Sequence, residues 1–191
     1  MSADGRFAPS PSGPLHIGSL RTALVAWLMA RSQHARFLVR IEDLDPQRSR
    51  PEHERSQLAD LRTLGIDWDE EPVRQSQRLW LYNDALGKLH AQGVLYPCFC
   101  TRAQILLQRL LGLPPVSYAH VSLVISAEGT RLAKRDRAVT LADRHEPADV
   151  TLALLAHSSG LASGRDRVKS PIDLLPEFDP ARIPSEPLVI S

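Results

Sequence analysis

Apolar positions near the start of the chain follow two different periods. Residues 6–8 read as the end of a short buried strand, and residues 36–41 as a second strand rich in branched and aromatic side chains. Between them a helix is predicted from about residue 18, because apolar residues recur three and four positions apart. These residues are Leu20, Ala23, Leu24, Trp27 and Leu28. Strand, loop, helix and strand form a βαβ unit, which predicts a parallel sheet.

The rest of the chain continues to alternate between helical and extended patterns. Helices are predicted at about 51–64, 78–92, 103–111 and 149–157, and extended segments at 94–101 and 118–125. Pro51 suits a first helical turn and Gly93 suits a helix C-terminus. Trp27 and Trp80 stand among apolar neighbours at helical spacing and are predicted to lie in the core. The segment from Ser170 is rich in proline and is expected to wind over the surface.

Composition narrows the class of protein only a little. The chain has 191 residues, 43% hydrophobic and 24% charged, which fits one globular domain or a domain plus a small appendage. Its formal net charge of +1 neither supports nor excludes a nucleic-acid partner. Cys98 and Cys100 are too close in sequence for a disulfide framework, which favours a reducing compartment. The N-terminal residues have no apolar core, so we expect a cytoplasmic protein with no membrane contact.

The segment Pro9–Ser19, Pro-Ser-Pro-Ser-Gly-Pro-Leu-His-Ile-Gly-Ser, is the first candidate for chemistry. Glycine and small side chains let backbone N–H groups approach a ligand, and the N-terminus of the next helix adds partial positive charge. Both properties are typical of phosphate binding. His16 stands at the helix entry, where its ring is placed to donate to a phosphate oxygen. The alternative is an ordinary Pro/Gly turn with a surface histidine.

Two further segments carry charges at informative places. Arg40–Asp45 ends the second strand, and the carboxyl ends of parallel strands face the ligand crevice, so Glu42 is a candidate acceptor for an amino group or a ribose. Arg131–Arg135 follows a predicted strand, and Lys134 is a candidate mobile cation for a triphosphate. Taken singly, a solvated acidic turn and a solvated basic turn explain these segments more simply.

Taken together and in this order, the three segments resemble the glutamyl branch of the class I aminoacyl-tRNA synthetases. His16–Ser19 matches the HIGH motif of that family, and Arg131–Arg135 matches a weaker, glutamyl form of its KMSKS loop. Gly5–Gly13 and Val39–Asp43 are characteristic of the glutamyl branch. The resemblance implies an α/β fold with the Rossmann-like parallel sheet of the class I catalytic domain.

Within that branch the sequence is most similar to the short paralogues, the glutamyl-Q-tRNA(Asp) synthetases. It reads Pro-Ser-Gly where full-length enzymes have Pro-Thr-Gly, and Glu-Asp-Leu-Asp-Pro where they have Glu-Asp-Thr-Asp. The sequence also stops soon after the Lys134 segment. The resemblance implies a ligase that activates glutamate with ATP and transfers it to queuosine in the anticodon loop of tRNA(Asp).

The resemblance also implies roles for individual residues. The residues implied to bind glutamate are Arg6, Phe7, Ala8, Pro9, Ser10 and Glu42. Arg6 would pair with a carboxylate and Glu42 would accept from the α-amino group. The residues implied to bind ATP are Pro9, His16, Gly18, Ser19 and Lys134. His16 and Lys134 are the implied catalytic residues, Mg²⁺ is expected with ATP, and the enzyme is expected to act as a monomer.

The sequence departs from the family in its middle. The resemblance covers about 6–102 and about 106–187, and a stretch the size of a small domain is missing between them. We therefore predict a first half of the catalytic domain over 1–102, with the HIGH motif, and a second half over 103–191, with the KMSKS-like loop and a helical, proline-rich tail. The missing stretch normally carries an interior strand and the insertion that contacts the acceptor end of tRNA.

Zinc is affected by the same loss. Cys98 and Cys100 match the first two zinc ligands of the family, but a structural zinc site normally has four ligands and the chain has only 2 cysteines. No spacing marks His90 or His120 as a replacement. A zinc site is thus an incomplete expectation. An active ligase, an impaired nucleotide-binding remnant and a truncated glutamyl-tRNA synthetase all stay open.

Overall fold

The computed structural model describes residues 4–93, 124–126, 139–162, 168–184 and 188–190. The chain divides into two compact units, one formed by residues 1–75 with 121–191 and the other by residues 76–120. The boundary predicted at residues 102 and 103 lies outside the described residues and stays a prediction.

Three parallel strands form the sheet of the first unit. They are β1 (Gly5–Phe7), β2 (Phe37–Ile41) and β3 (Val73–Arg74), and they lie side by side in that order. A parallel pair needs a long crossover, which α1 (Ile17–Ser32) provides between β1 and β2. The predicted βαβ unit and the α/β class with parallel strands are therefore confirmed.

The two faces of this sheet differ in burial. Alternate residues along Phe37–Ile41, beginning with the first, are at most 2% exposed, whereas Leu38 and Arg40 are only partly buried. Successive side chains of a strand point to opposite faces. The register places Arg6 beside Leu38, on the more open face. One face therefore belongs to the core, and the other carries the cationic side chains.

Helix α1 fills the centre of the core. Trp27 is 2% exposed, as predicted, and its Nε1 donates to Asp67 Oδ1 at 2.7 Å. β1 approaches the helix so closely that a Cβ on Gly5 would lie 2.6 Å from the Cβ of Ala30. Glycine is needed at that position because any side chain would push the strand away from the helix.

The same core contains residues from both ends of the chain. Helix α2 (Pro51–Thr63) contributes Leu61 to it. Helix α4 (Ala148–Ser158) and a 3₁₀ helix at Pro171–Glu177 complete it from the C-terminal side. Their buried residues in the cluster are Leu152, Ala153, Leu155, Ala156 and Leu174. The proline-rich tail was thus wrongly predicted to lie entirely on the surface.

A buried arginine also joins the two ends. Arg21 of α1 is 1% exposed, and its guanidinium donates to Ser159 Oγ and to the Ser158 carbonyl oxygen, both at 2.9 Å. These acceptors lie at the C-terminus of α4, where the helix dipole favours a cation. Burial lowers the pKa of Arg21 below its ordinary value.

The remaining described elements are short, apart from one helix. β4 (Val124–Ser126) and β5 (Leu188–Ile190) form a separate parallel pair. Single 3₁₀ turns occur at Gln75–Arg78, Ala142–Arg144 and Pro180–Arg182. In the second unit, α3 (Leu79–Ala91) ends before Gly93, whose φ of 68° suits glycine.

One prediction about the helices is wrong, and several others concern residues outside the described ranges. Trp80 of α3 is 68% exposed, so its predicted core position is wrong. The extended segment predicted at 94–101 and the helix at 103–111 lie outside the described residues, as does most of the strand predicted at 118–125. None of the described helices has the length and apolarity needed to cross a lipid bilayer.

Candidate active site

The loop after β1 is held through its carbonyl oxygens. Pro9 O accepts from the Glu42 backbone N–H at 3.0 Å, and Pro11 O accepts from the Arg50 backbone N–H at 2.9 Å. The side chain of Gln57 supplies the other bonds. Its Nε2 donates to Ser10 O at 3.0 Å and to Gly13 O at 2.6 Å. The end of β2, the segment before α2 and α2 itself therefore fix the loop.

This arrangement limits which backbone donors the loop can offer. Pro9, Pro11 and Pro14 have no N–H group, so Ser10, Ser12 and Gly13 carry the only backbone donors between the first and last of these prolines. The Ser12 N–H donates to Ser10 O at 2.8 Å. The loop is therefore an edge with few backbone donors, and the N–H groups of Leu15 and His16 lie between it and the α1 N-terminus.

Gln57 was not identified from the sequence. It is fully buried, and its Oε1 is buried without a hydrogen-bond partner among the described residues. The available signal was its spacing, because it precedes the buried Leu61 by four residues and so shares its face of α2. A polar residue at a core-facing helical position calls for polar partners, which here are loop carbonyl oxygens.

His16 caps α1. Its Nδ1 accepts from the Ser19 backbone N–H at 3.2 Å, and its Nε2 lies 3.1 Å from Ser19 Oγ. A neutral ring that accepts through Nδ1 carries its proton on Nε2 and donates to the Ser19 hydroxyl. The first turn of α1 thus presents a serine hydroxyl whose orientation is set by the preceding histidine.

The C-terminal part of the chain closes on this helix start. The Ile17 N–H donates to Val139 O at 3.0 Å, and His16 forms an antiparallel bridge with Thr140. A Cβ on Gly18 would lie 3.4 Å from Cγ2 of Val124 and 3.1 Å from the His16 ring. A side chain at position 18 would therefore press on the His16 ring, which would have to move by a few tenths of an ångström.

Residues from both predicted subsites line one cavity of about 360 Å³. Phe7, Ala8 and Ser10 belong to the predicted glutamate set, whereas Ser19 belongs to the predicted ATP set and Pro9 to both. The complete lining is Phe7, Ala8, Pro9, Ser10, Ser12, Leu15, Ser19 and Thr22. A space of this size suits a small molecule or part of a nucleotide.

Charged side chains gather on the open face of the sheet beside this loop. Arg40 Nη2 lies 2.5 Å from Glu42 Oε1. The Arg6 side chain has a large exposed surface, but its guanidinium is partly surrounded by protein. This desolvation, followed by the positive charge of Arg40, lowers the pKa of Arg6, whereas the negative charge of Glu42 raises it. Arg6 remains a cation because arginine titrates far above neutral pH. The structure thus brings together two cations and one carboxylate.

Other predicted site residues lie outside the described part of the chain. These are Lys134, proposed for catalysis and ATP binding, and the two cysteines Cys98 and Cys100, proposed as metal ligands. Within the described ranges, no group of three or more His, Cys, Asp or Glu side chains is arranged to hold a metal ion. The zinc expectation stays where the sequence left it, with two ligands of the usual four.

Sequence comparison decides the family. The model of class I tRNA synthetases of the E and Q type, catalytic domain, matches residues 3–110. A protein of Nocardia farcinica named glutamyl-Q tRNA(Asp) synthetase is 34% identical, with an alignment that covers 98% of this chain and 93% of that protein. This chain belongs to the class I tRNA synthetases. Its relatives are aminoacyl-tRNA synthetases, which are ligases.

A second relative supports the same family, and a solved structure has the same fold. The glutamyl-Q tRNA(Asp) synthetase of Symbiobacterium thermophilum is 32% identical over 97% of this synthetase and 95% of that protein. The crystal structure of glutamate-tRNA synthetase from Elizabethkingia anophelis superposes with a TM-score of 0.77. It covers 100% of this synthetase and 68% of that chain at 18% identity, so it shows a common fold.

The alignment also shows where this synthetase is shorter. It extends over 295 residues for the Nocardia protein, whereas the present chain has 191, so at least 104 aligned positions have no counterpart here. Because the alignment still reaches 98% of this chain, most of that difference lies within it. The internal deletion predicted from the motifs is therefore supported.

Proposed function

We propose that this synthetase activates glutamate with ATP as glutamyl-adenylate and transfers the glutamyl group to queuosine of tRNA(Asp). The observation that carries this proposal is a cavity lined by members of both predicted subsites, Ala8 and Ser10 for the amino acid and Ser19 for ATP. The reaction needs the two substrates within contact distance, and a cavity shared by the two predicted residue sets supports this proposal. The names of the two long-aligning relatives support the choice of acceptor.

The amino-acid side of the site is formed by charge. Arg6 is proposed to pair with a substrate carboxylate, because a guanidinium matches a carboxylate with two parallel hydrogen bonds. Glu42 is proposed to accept from the α-ammonium group. Ala8 and Ser10 line the cavity between the strand end and the fixed loop. The set complements a molecule that carries an ammonium group and a carboxylate.

The nucleotide side is formed by the start of α1. His16, Gly18 and Ser19 are proposed to hold ATP at the positive end of the helix dipole. Lys134 is proposed to contact its phosphates. The described residues on either side of the Lys134 segment support this assignment, since Val124 packs beside Gly18 and Val139 accepts from the Ile17 N–H.

The proposed reaction has two steps. A carboxylate oxygen of glutamate attacks the α-phosphorus of ATP, the bond from that phosphorus to the bridging oxygen breaks, and pyrophosphate leaves with the electron pair. A hydroxyl of queuosine then attacks the activated carbonyl carbon, the bond from that carbon to the phosphate oxygen breaks, AMP leaves with the electron pair, and the hydroxyl proton passes to solvent. Positioning and stabilisation of negative charge supply the catalysis, with no covalent enzyme intermediate.

Glutamate-dependent exchange of pyrophosphate into ATP tests the first step. Exchange with L-glutamate, together with far slower exchange with L-glutamine or L-aspartate, is the expected result. The acceptor is tested with labelled glutamate and two tRNA preparations, one with queuosine and one from cells that cannot make it. Labelling is expected only for the tRNA that contains queuosine. Removal of the terminal adenosine from that tRNA is expected to leave the labelling unchanged. Labelling that requires the terminal adenosine would identify a glutamyl-tRNA synthetase instead.

A second candidate is a nucleotide-binding remnant that no longer activates glutamate. The internal deletion favours it, because the alignment has 295 positions and this chain only 191 residues. This candidate predicts measurable ATP binding by calorimetry without glutamate-dependent exchange. The active ligase predicts both in the same preparation.

A further inference from the structure

The pairing of Arg40 with Glu42 follows from the strand itself. Arg40 lies within β2, and Glu42 follows two residues later, so both side chains project from the same face. Nη2 of Arg40 lies 2.5 Å from Oε1 of Glu42, and the two side chains are 28% and 34% exposed. The pair is therefore partly shielded from water, where an ion pair is stronger than on an open surface.

The strand β2 fixes the backbone of Arg40, and its guanidinium reaches Glu42. Its Nε is buried and has no hydrogen-bond partner in the described part of the chain. An unpartnered buried donor is unfavourable and calls for an explanation. The adjacent Val39 and Ile41 are buried, so the strand fixes the base of the side chain. The guanidinium then has one polar contact among the described residues, the Glu42 carboxylate.

The charges around Glu42 match an acidic amino acid. Arg6 lies on the same face and is near enough for Arg40 to influence its titration. Two cations and one carboxylate give this cluster a net charge of +1, whereas glutamate carries −1 and glutamine is neutral. Arg40 contacts Oε1 of Glu42, so the role proposed for Glu42 would use the second carboxylate oxygen for a substrate ammonium group.

We propose that Arg40 is a positioning residue for the amino-acid site and holds Glu42 as the acceptor for the α-ammonium group of an acidic amino acid. It acts through Glu42 and does not itself bind the substrate. The inference rests on the proposed function, since it deepens the role given there to Glu42.

A double-mutant cycle measured by calorimetry with L-glutamate tests this role. The variants are Arg40→Gln, Glu42→Gln and the pair together, in the full chain. Each single substitution is expected to weaken glutamate binding about tenfold or more, because a charge-assisted contact is lost. Arg40→Gln in the Glu42→Gln background is expected to change the affinity less than about twofold. Full additivity of the two losses would overturn the proposal.

Ligand selectivity separates positioning from general damage. Glutarate has both carboxylates of glutamate but no ammonium group, so Glu42 gives it no advantage. The ratio of the glutarate and glutamate dissociation constants is expected to fall at least threefold in Arg40→Gln. An unchanged ratio would show a merely structural effect. Arg40→Lys retains the charge and is expected to keep part of the selectivity, and Arg55→Gln, at an exposed arginine of α2, is the matched control.

The outcomes distinguish this inference from the proposed function. Glutamate binding with a coupled cycle but without pyrophosphate exchange would sustain the role of Arg40 and remove the activation step. Pyrophosphate exchange together with an additive cycle would sustain the activation step and remove the role of Arg40. A wild-type chain that binds no glutamate would overturn both.

Discussion

Gln57 donates through Nε2 to the carbonyl oxygen of Gly13 at 2.6 Å, and so joins helix α2 to the end of the loop that lines the cavity. The same nitrogen reaches Ser10 O at 3.0 Å. One amide group therefore holds two points of a loop that is far away in sequence. These two bonds to α2 add to those that Pro9 O and Pro11 O accept from Glu42 and Arg50, and together they fix the shape of the loop.

Replacing Gln57 by leucine is expected to lower the free energy of unfolding by about 1–3 kcal/mol, because buried carbonyl oxygens lose their donor. Urea denaturation followed by circular dichroism measures this. Gln47→Leu is the matched control at an exposed position and should change stability by less than about 0.5 kcal/mol. Equal stability of the two variants would show that the hydrogen bonds from Gln57 to the loop contribute nothing to stability.

Two glycines should respond in opposite directions to alanine. Gly160 has a φ of 68°, and a Cβ there would lie 2.8 Å from the Arg182 carbonyl oxygen, so Gly160→Ala is expected to cost about 1–3 kcal/mol. Gly87 lies within α3 with nothing within 4 Å of an added Cβ. Gly87→Ala is expected to stabilise its helix by about 0.5–1 kcal/mol. Thermal unfolding of both variants beside the wild type is the measurement, and a shift in the same direction would contradict this account.

Arg21 should be needed to hold the C-terminal end of α4 against α1. Arg21→Met removes the donors to Ser159 Oγ and Ser158 O inside the core, and is expected to destabilise the protein by about 2 kcal/mol. Arg55→Met, at an exposed position, controls for the loss of one positive charge. Guanidinium titration of both variants decides the matter, and the prediction fails if their midpoints coincide.

Asp60 should make stability depend on pH. Burial raises the pKa of Asp60 from 3.8 to about 6. Because the folded value is the higher one, the stability that the protonated form contributes is complete below the unfolded pKa and is lost as the pH rises through about 6. Asp60→Asn is therefore expected to stabilise the protein at pH 7 by on the order of 1 kcal/mol, allowing for its partial exposure.

At about pH 3 Asp60→Asn should have almost no effect on stability, since the side chain at position 60 is then neutral in the wild type as well as in the variant. Urea titrations between these two pH values trace the difference. Glu52→Gln, at an exposed position on the same helix, should not produce a gain that grows with pH. A constant effect of Asp60→Asn at all pH values would contradict the desolvation of its carboxylate.

Local pattern was sufficient for the elements that frame the site. The spacing of apolar residues in α1 and the branched residues of β2 are strong local signals, and the observed bounds, Ile17–Ser32 and Phe37–Ile41, follow them closely. Glycine at position 93 marked the end of α3 for the same reason. These predictions succeed because the information lies within one turn or one strand.

The contacts that shape the site depend on distant residues. The bond from Gln57 to Gly13 joins positions 44 residues apart, and neither residue is unusual by itself. The ion pair of Arg40 depends on strand alternation together with a half-open face of the sheet. Trp80 was misassigned because helical spacing shows which residues share a face, and not whether another element covers it.

The bond between Arg21 and Ser159 links residues 138 positions apart, and α1 takes much of its covering from α4 and Leu174. During synthesis on the ribosome, helix α1, which begins beside the candidate site, is therefore made long before the side chains that enclose it. Its apolar surface stays uncovered until residues 148–174 have emerged. Such long-range closure slows folding and leaves a period in which chaperones or aggregation compete for the N-terminal half.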